Sequence, residues 1–214
     1  MSFTHESTHP TSIPPSAASV LQASMNLLIT LLFALLAVAS YHEFSRSGSP
    51  RAFGVLAVNC LFLGLFLIRR KPTSETASLK LWILAFGGSV VSLLLRPATR
   101  ADLPGGYAVQ LVGLIMLTAA LFSLRRSFAV VPGNRGIRQG GLYRIVRHPV
   151  YLSELITFLG VVLAYPTAYN AAIWVIDCAL QLARARAEER FLAADPVYHA
   201  YCERVRYRLI PGVL

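Results

Sequence analysis

Six apolar runs, each close to the length that crosses a lipid bilayer as a helix, constrain this chain more than any other feature. They lie at about 19–41, 52–69, 79–95, 107–124, 150–164 and 167–186. A span needs roughly 20 predominantly apolar residues. In hydrocarbon the backbone must satisfy its own hydrogen bonds, which a helix does. The fifth run is short, and the turn Tyr165-Pro166-Thr167 follows it. Runs five and six therefore read as an antiparallel hairpin. The 214 residues are 55% hydrophobic and 14% charged, with a mean hydropathy of +0.56. Soluble domains carry roughly 25% charged residues. The expected fold class is all-α integral membrane, with about six transmembrane helices and a C-terminal helical hairpin. No soluble domain and no repeat stand out. Residues 1–18 read as a disordered tail, 19–124 as four transmembrane helices, and 125–214 as the part that carries chemistry.

The net charge of +10 raises the question of nucleic acid. Its distribution argues against that class. Nearly every Lys and Arg flanks an apolar run, which is the pattern of membrane orientation and not of a phosphate-tracking stripe. With six spans, 16 of the 20 basic residues fall on one side of the membrane and 4 on the other. The basic side holds both termini and the loops at 69–80 and 125–147. Both termini are thus expected in the cytoplasm, the whole in a bacterial-type inner membrane. Residues 1–17 contain no Lys or Arg, so a signal peptide is not expected. Cys60, Cys178 and Cys202 lack metal-ligand spacing, and no disulfide framework is expected. His5 and His9 alone do not make a metal site, and none is expected.

Polar residues concentrate at the two ends of the hairpin. The loop Val131-Pro132-Gly133-Asn134-Arg135-Gly136-Ile137-Arg138-Gln139-Gly140-Gly141 offers close backbone approach to a ligand, or simply a flexible link. It has no Gly-Lys-Ser/Thr and no preceding strand, so it is neither a Walker A loop nor a dinucleotide fingerprint. The stretch Gly141 to Tyr151 follows. Pro149 suits the first residue of helix five, where its missing N–H costs nothing. His148 then lies just outside, held extended by the proline. Tyr151 and Glu154 follow at helical spacing. His148 and Tyr151 could equally be interfacial anchors. On helix six, Asp177, Gln181, Arg184 and Glu188 fall on one face. That face is either functional or a structural polar seam, with Glu154 and Asp177 hydrogen-bonded across the hairpin. Acids inside spans are costly and point to function by default.

The order Gly141-x-Tyr143-x-x-x-Arg147-His148-Pro149-x-Tyr151, then Arg184-x-x-x-Glu188-Glu189-x-x-Leu192, then Asp195-Pro196-x-Tyr198-x-x-Tyr201 resembles the isoprenylcysteine carboxyl methyltransferase family. That family is grouped with the integral-membrane phospholipid methyltransferases. The likeness covers about residues 125–214. The first four helices match by hydropathy alone. The resemblance implies S-adenosylmethionine as methyl donor, held in a cytoplasmic pocket closed by the C-terminal segment. It implies donor contacts at Arg135, Gly136, Ile137, Arg138, Tyr143, His148, Pro149, Val150, Tyr151 and Glu188. It implies that Arg184 contacts an acceptor carboxylate. Two departures stand out. Ser153 occupies a position where glycine is common, and Asp195-Pro196 replaces a Phe-Gly in a stretch one residue shorter than usual.

These readings converge on a membrane methyltransferase with a lipophilic small-molecule or lipidated acceptor, most simply a carboxylate. Arg184 and Glu154 are the candidate catalytic residues. A carboxylate is already ionised near neutral pH and needs no base, whereas an amine acceptor does. Glu154 is the membrane-embedded acid nearest the motif, so N-methylation of an amine headgroup is the first alternative. A non-catalytic membrane protein with a polar seam is the second. Membrane lipids are the expected surroundings. No nucleic-acid partner is expected, and the sequence does not speak to oligomeric state.

Overall fold

The computed structural model describes residues 15–68, 74–75, 78–96, 104–124, 127–128, 133–134 and 136–212. The architecture is helical: α1 (Pro15–Ser47), α2 (Pro50–Ile68), α3 (Leu79–Val90), α4 (Pro104–Leu124), α5 (Pro149–Ala164), α6 (Ala168–Leu192) and α7 (Pro196–Arg204). A two-residue antiparallel pair joins Ser74–Glu75 to Gly133–Asn134. Helices α1 to α6 correspond one to one with the six apolar runs. The short α7 lies beyond them.

Local chemistry explains where the ends differ from expectation. Helix α1 starts at Pro15, inside the stretch read as a tail. It continues past residue 41 until Gly48, whose φ of 59° ends it. The Gly48 amide closes that end on the Phe44 carbonyl at 2.8 Å, the usual service of a left-handed glycine. Ser49 Oγ then accepts the Ala52 amide at 3.2 Å and helps to start α2. Helix α3 stops short. The chain tightens into a 3-10 turn over Val91–Leu94, where two β-branched valines precede Pro97. Helix α6 overruns residue 186 because Arg186 to Arg190 are good helix formers. Thr167 starts it, its Oγ1 accepting the Asn170 amide at 3.1 Å.

Helices α4 and α5 form the closest pair, and small residues make this possible. A Cβ on Gly160 would sit 2.3 Å from the Gln110 backbone nitrogen. One on Gly113 would sit 2.4 Å from that of Thr157, and one on Gly106 2.2 Å from that of Ala164. Backbones in direct contact gain dispersion where lipid removes most of the hydrophobic drive. An aromatic core lies beside this seam, with Phe33 stacked on Phe62 at 5.0 Å and Phe62 against Phe128 at 5.5 Å. The outer faces are also apolar: Leu27, Leu31, Leu35, Ile83, Ile115 and Val175 are all exposed. A helix that is apolar all round belongs in a core or in lipid. Among the described residues, Ala23–Ser47 and Gly105–Leu124 are long and apolar enough to cross a membrane. Most of the first lies on the surface, which suits a lipid-facing helix.

The seam gives a direct test. Gly160→Ala should lower stability by about 1–3 kcal/mol through overpacking, read as a lower melting temperature in detergent. Gly64→Ala, where an added Cβ meets nothing within 4 Å, should leave the melting temperature unchanged or raise it. Equal melting of the two variants would contradict this packing.

Candidate active site

The site begins where the loop after α4 turns back into α5. Gly141 adopts φ 59°, and a Cβ there would lie 2.3 Å from Ser123 Oγ, so only glycine fits. A 3-10 turn over Gly141–Arg144 then buries Tyr143. His148 precedes Pro149, the first residue of α5, and is itself buried. Pro149 is fully buried and fixes the entry angle of the helix.

Two adjacent acids at the end of α6 receive these groups. Tyr151 donates its hydroxyl to Glu188 Oε2 at 3.1 Å, and His148 Nδ1 lies 3.5 Å from the same oxygen. His148 Nε2 meets Glu189 Oε1 at 3.2 Å, as does Arg147 Nε at 3.2 Å. The other Glu189 oxygen accepts Arg208 Nε at 2.8 Å and Nη2 at 2.6 Å. The imidazole stacks on Tyr151 with rings 5.5 Å apart. Burial pulls the His148 pKa down, but the hydrogen bonds to Glu188 and Glu189 outweigh it, and the net shift is upward from 6.5. Burial pushes Glu189 up, yet its bonds to His148 and Arg208 bring it down to about 2. The cluster therefore holds the imidazole between two carboxylates, a setting that favours its protonated form.

The C-terminal segment closes over this cluster. Asp195 caps α7, its Oδ1 accepting the Val197 amide at 2.8 Å, with Pro196 in the first turn. The Asp195-Pro196 departure is thus a helix start. Tyr201 donates its hydroxyl to the Tyr143 carbonyl at 2.8 Å. Beyond α7 the chain runs beside the His148 turn, where the Arg147 and His148 amides donate to the Tyr207 and Arg208 carbonyls at 2.9 and 3.0 Å.

Two cavities meet at Tyr151. The first is polar at one end. Gly136, Ile137, Arg138, Tyr143, His148, Val150, Tyr151 and Glu188 line it, all expected as donor contacts. Pro149 is not among the lining residues, and Arg135 lies outside the described ones. Leu124, Ser127, Phe128, Arg147, Leu192, Tyr198 and Tyr201 complete the wall. Tyr198 and Tyr201 belonged to the recognised motif. Phe128 carried no local signal. The second cavity, of about 260 Å³, is mostly apolar and reaches between α1, α2, α4 and α5. Arg184 and Glu154, the two candidate catalytic residues, both line it. Val150, Tyr151 and Phe128 line both cavities.

The Arg184 guanidinium sits over the Tyr151 ring, 4.8 Å from its centre, and donates to Gln181 Oε1 at 3.0 Å. Gln181 Nε2 donates in turn to Glu154 Oε2 at 2.8 Å. Gly88 leaves the space that Arg184 needs, since a Cβ there would meet its Cδ at 2.5 Å. The Glu154–Asp177 hydrogen bond that a structural polar seam would make is not formed. Gln181 takes that place, and both Asp177 oxygens are buried without a hydrogen-bond partner among the described residues. Ser153, fully buried, turns its hydroxyl onto the Pro149 carbonyl at 2.7 Å, so the glycine-to-serine departure adds no steric cost on the cavity side. The described residues hold no group of three or more His, Cys, Asp or Glu that could bind a metal.

Residues 105–198 match the phospholipid methyltransferase family model. The matched segment runs from the start of α4 into α7 and holds both acids, Arg184 and the His148 turn. The resemblance to the membrane methyltransferases thus stands on a family match as well as on the motifs. No curated protein matches this sequence. The match makes the chain a candidate methyltransferase associated with membranes and lipid.

The electrostatics of the cluster set a pH window. The raised His148 pKa means its contribution is complete below 6.5 and lost as pH rises through the folded value. The lowered Glu189 pKa means its contribution is complete above 4.5 and lost as pH falls towards about 2. Docking of residues 196–212 should therefore be firmest between these limits. Hydrogen exchange of that segment should speed up on both sides. Glu189→Gln should abolish the acid limb and weaken docking by about 3 kcal/mol, since it strips the partner from buried charges. Exchange that is flat with pH would contradict the charge assignment.

Proposed function

We propose that this chain is a membrane-embedded, S-adenosylmethionine-dependent methyltransferase whose acceptor is a carboxylate on a lipophilic molecule. The observation that carries the reading is the shared wall. A polar cavity and an apolar cavity meet at Tyr151, with Glu188 on one side and Arg184 on the other. A donor that is charged and polar and an acceptor that is greasy need such a pair of compartments, joined at one point.

The residues present suit the donor. Glu188 is an acceptor for ribose hydroxyls, the part acids play in other nucleoside sites. Arg138 offers a guanidinium for a carboxylate. Its Nε donates to Ser127 Oγ at 3.0 Å, which holds it at the cavity wall. Gly136 and Ile137 line the same wall, and Pro149 orients the helix that carries Val150 and Tyr151. Tyr143, Tyr151 and Phe128 offer aromatic faces, which attract a cation. When bound, S-adenosylmethionine supplies a methyl group on a positively charged sulfur.

The chain's own work is then alignment and exclusion of water. Arg184 grips the acceptor carboxylate, and a planar fork holds both of its oxygens. The Tyr151 ring beneath and Gln181 beside it fix that fork, so little freedom is lost when the acceptor arrives. α7 and the segment after it screen the polar cavity from water. Donor and acceptor carry opposite charges that vanish on transfer, a step that a dry pocket favours. No base is needed, and Glu154 is a hydrogen-bonding neighbour that holds Gln181.

The rest of the reading follows. All six long helices span the membrane, the shorter ones within a thinned or tilted arrangement. Both termini and the polar cavity face the cytoplasm, on the side with 16 of the 20 Lys and Arg. The second reading is N-methylation of an amine lipid. It is favoured by the description of the matched family and by Glu154, which lines the acceptor cavity and could serve as base.

Calorimetry on the purified protein in detergent should show binding of S-adenosylmethionine and of its demethylated product. No heat with either at millimolar concentration would remove the enzyme reading. Glu188→Ala should weaken donor binding by about 1.5–3 kcal/mol. Arg184→Lys should spare donor binding yet slow turnover about tenfold or more, ~1.4 kcal/mol of barrier. Glu154→Gln should keep activity within about tenfold. A hundredfold loss in Glu154→Gln with donor affinity intact would favour the amine acceptor over the carboxylate.

A further inference from the structure

Among the polar groups of the apolar cavity that the proposed chemistry does not use, Gln110 stands out by a buried oxygen without a partner among the described residues. Gln110 lines the cavity from α4. The side chain is 7% exposed, and its Oε1 has no hydrogen-bond partner among the described residues. Few solvents could be worse for it. A buried amide oxygen without a partner is costly, and most of the surrounding lining is apolar. Leu93, Leu114 and Val55 line the same cavity. A glutamine held there is explained by something that enters the cavity and satisfies it.

Its depth follows from helix geometry. Gln110 lies against Gly160, where an added Cβ would meet its backbone at 2.3 Å. Tyr151, beneath the Arg184 guanidinium, is nine residues earlier on the same helix. At about 1.5 Å per residue, Gln110 sits ~13 Å from the Tyr151 level along α5. The hydroxyls between these two levels are already engaged. Thr157 Oγ1 donates to the Ser153 carbonyl at 2.8 Å, and Ser153 Oγ to that of Pro149 at 2.7 Å. Gln110 Oε1 is a buried acceptor still open to a ligand at that depth.

We infer that the acceptor is a short, two-headed amphiphile: a carboxylate at Arg184 and a hydroxyl about one decanoyl chain away, bound by Gln110. This rests on the carboxylate reading and narrows it. A hydroxyl both donates and accepts, so it satisfies a carboxamide in either orientation. A plain alkyl terminus leaves Gln110 buried and unpaired, and a site built to bond a hydroxyl rejects the analogue that lacks it. The cavity of about 260 Å³ suits a single short chain better than a diacyl lipid.

The test compares ω-hydroxydecanoic acid with decanoic acid as acceptors, using donor labelled in its methyl group and full-length protein in detergent. The wild type should show kcat/KM higher for the hydroxy acid by at least about tenfold. In Gln110→Leu and Gln110→Met the two acids should become equal within about twofold, through loss on the hydroxy acid. Donor binding, measured separately, should stay unchanged and shows that each variant is folded. Equal use of both acids by the wild type overturns the inference, as does a preference that survives both substitutions. If the wild type binds donor and methylates neither acid but does methylate an amine lipid, the carboxylate reading fails and takes this inference with it. If decanoic acid is methylated as well as its hydroxy form, only the inference fails.

Discussion

The arrangement depends on one partly buried carboxylate. Glu189 joins three pieces of chain that are far apart in sequence: the His148 turn that starts α5, the last turns of α6, and Arg208 beyond α7. Burying charge in a low-dielectric site is expensive unless every lone pair is used. Here both Glu189 oxygens are engaged, one by a His148 hydrogen bond and the Arg147 ion pair and the other by two hydrogen bonds from Arg208. The cost of the site is thus offset only when the C-terminal segment is docked. Closure of the polar cavity and satisfaction of its charges are the same event.

Glu188, one residue earlier, does the complementary job. It shares His148 with Glu189 but faces the cavity, where Tyr151 donates to it. The imidazole therefore splits between a structural acid and an exposed one. That division explains why two acids stand side by side. A single carboxylate could not both anchor the tail and receive a ligand without losing one set of partners. On the other side of Tyr151, Arg184 is held by the ring, by Gln181 and by the gap that Gly88 leaves. Tyr151 is thus the hinge of the electrostatics, with an acid on its hydroxyl and a guanidinium on its face.

The helices were legible in the sequence because hydropathy is local and lipid removes most alternatives. The hairpin was legible from Tyr165-Pro166-Thr167, and the entry to α5 from His148-Pro149. Gly136 to Arg138, Tyr143 and Glu188 were grouped by the family resemblance as contacts of one donor, and the fold brings them to one cavity. What could not be read was pairing at a distance. The spacing of Asp177, Gln181 and Arg184 gives one face of α6, but periodicity cannot say which member meets Glu154. Gln181 does, because it stands one turn nearer the site than Asp177. Arg208 lies in a stretch with no periodicity, so nothing local linked it to Glu189. Gln110 looked like one polar residue in an apolar run. Only the contact with Gly160 shows how deep it sits.

The close seam between α4 and α5 ties these features together. Gly106, Gly113 and Gly160 bring two backbones into contact, so the two helices move as one wall. That wall carries Val150, Tyr151 and Glu154 from α5 and Gln110 from α4, all lining the apolar cavity. Its two polar ends are therefore fixed relative to each other, with no loop between them to absorb a mismatch. Sites on rigid elements hold geometry better than sites on loops. The C-terminal segment lines the first cavity through Tyr198 and Tyr201, and none of its described residues lines the second. Under the proposed function this fold separates the tasks: packed helices would measure the acceptor, and the charged C-terminal segment would bound the donor.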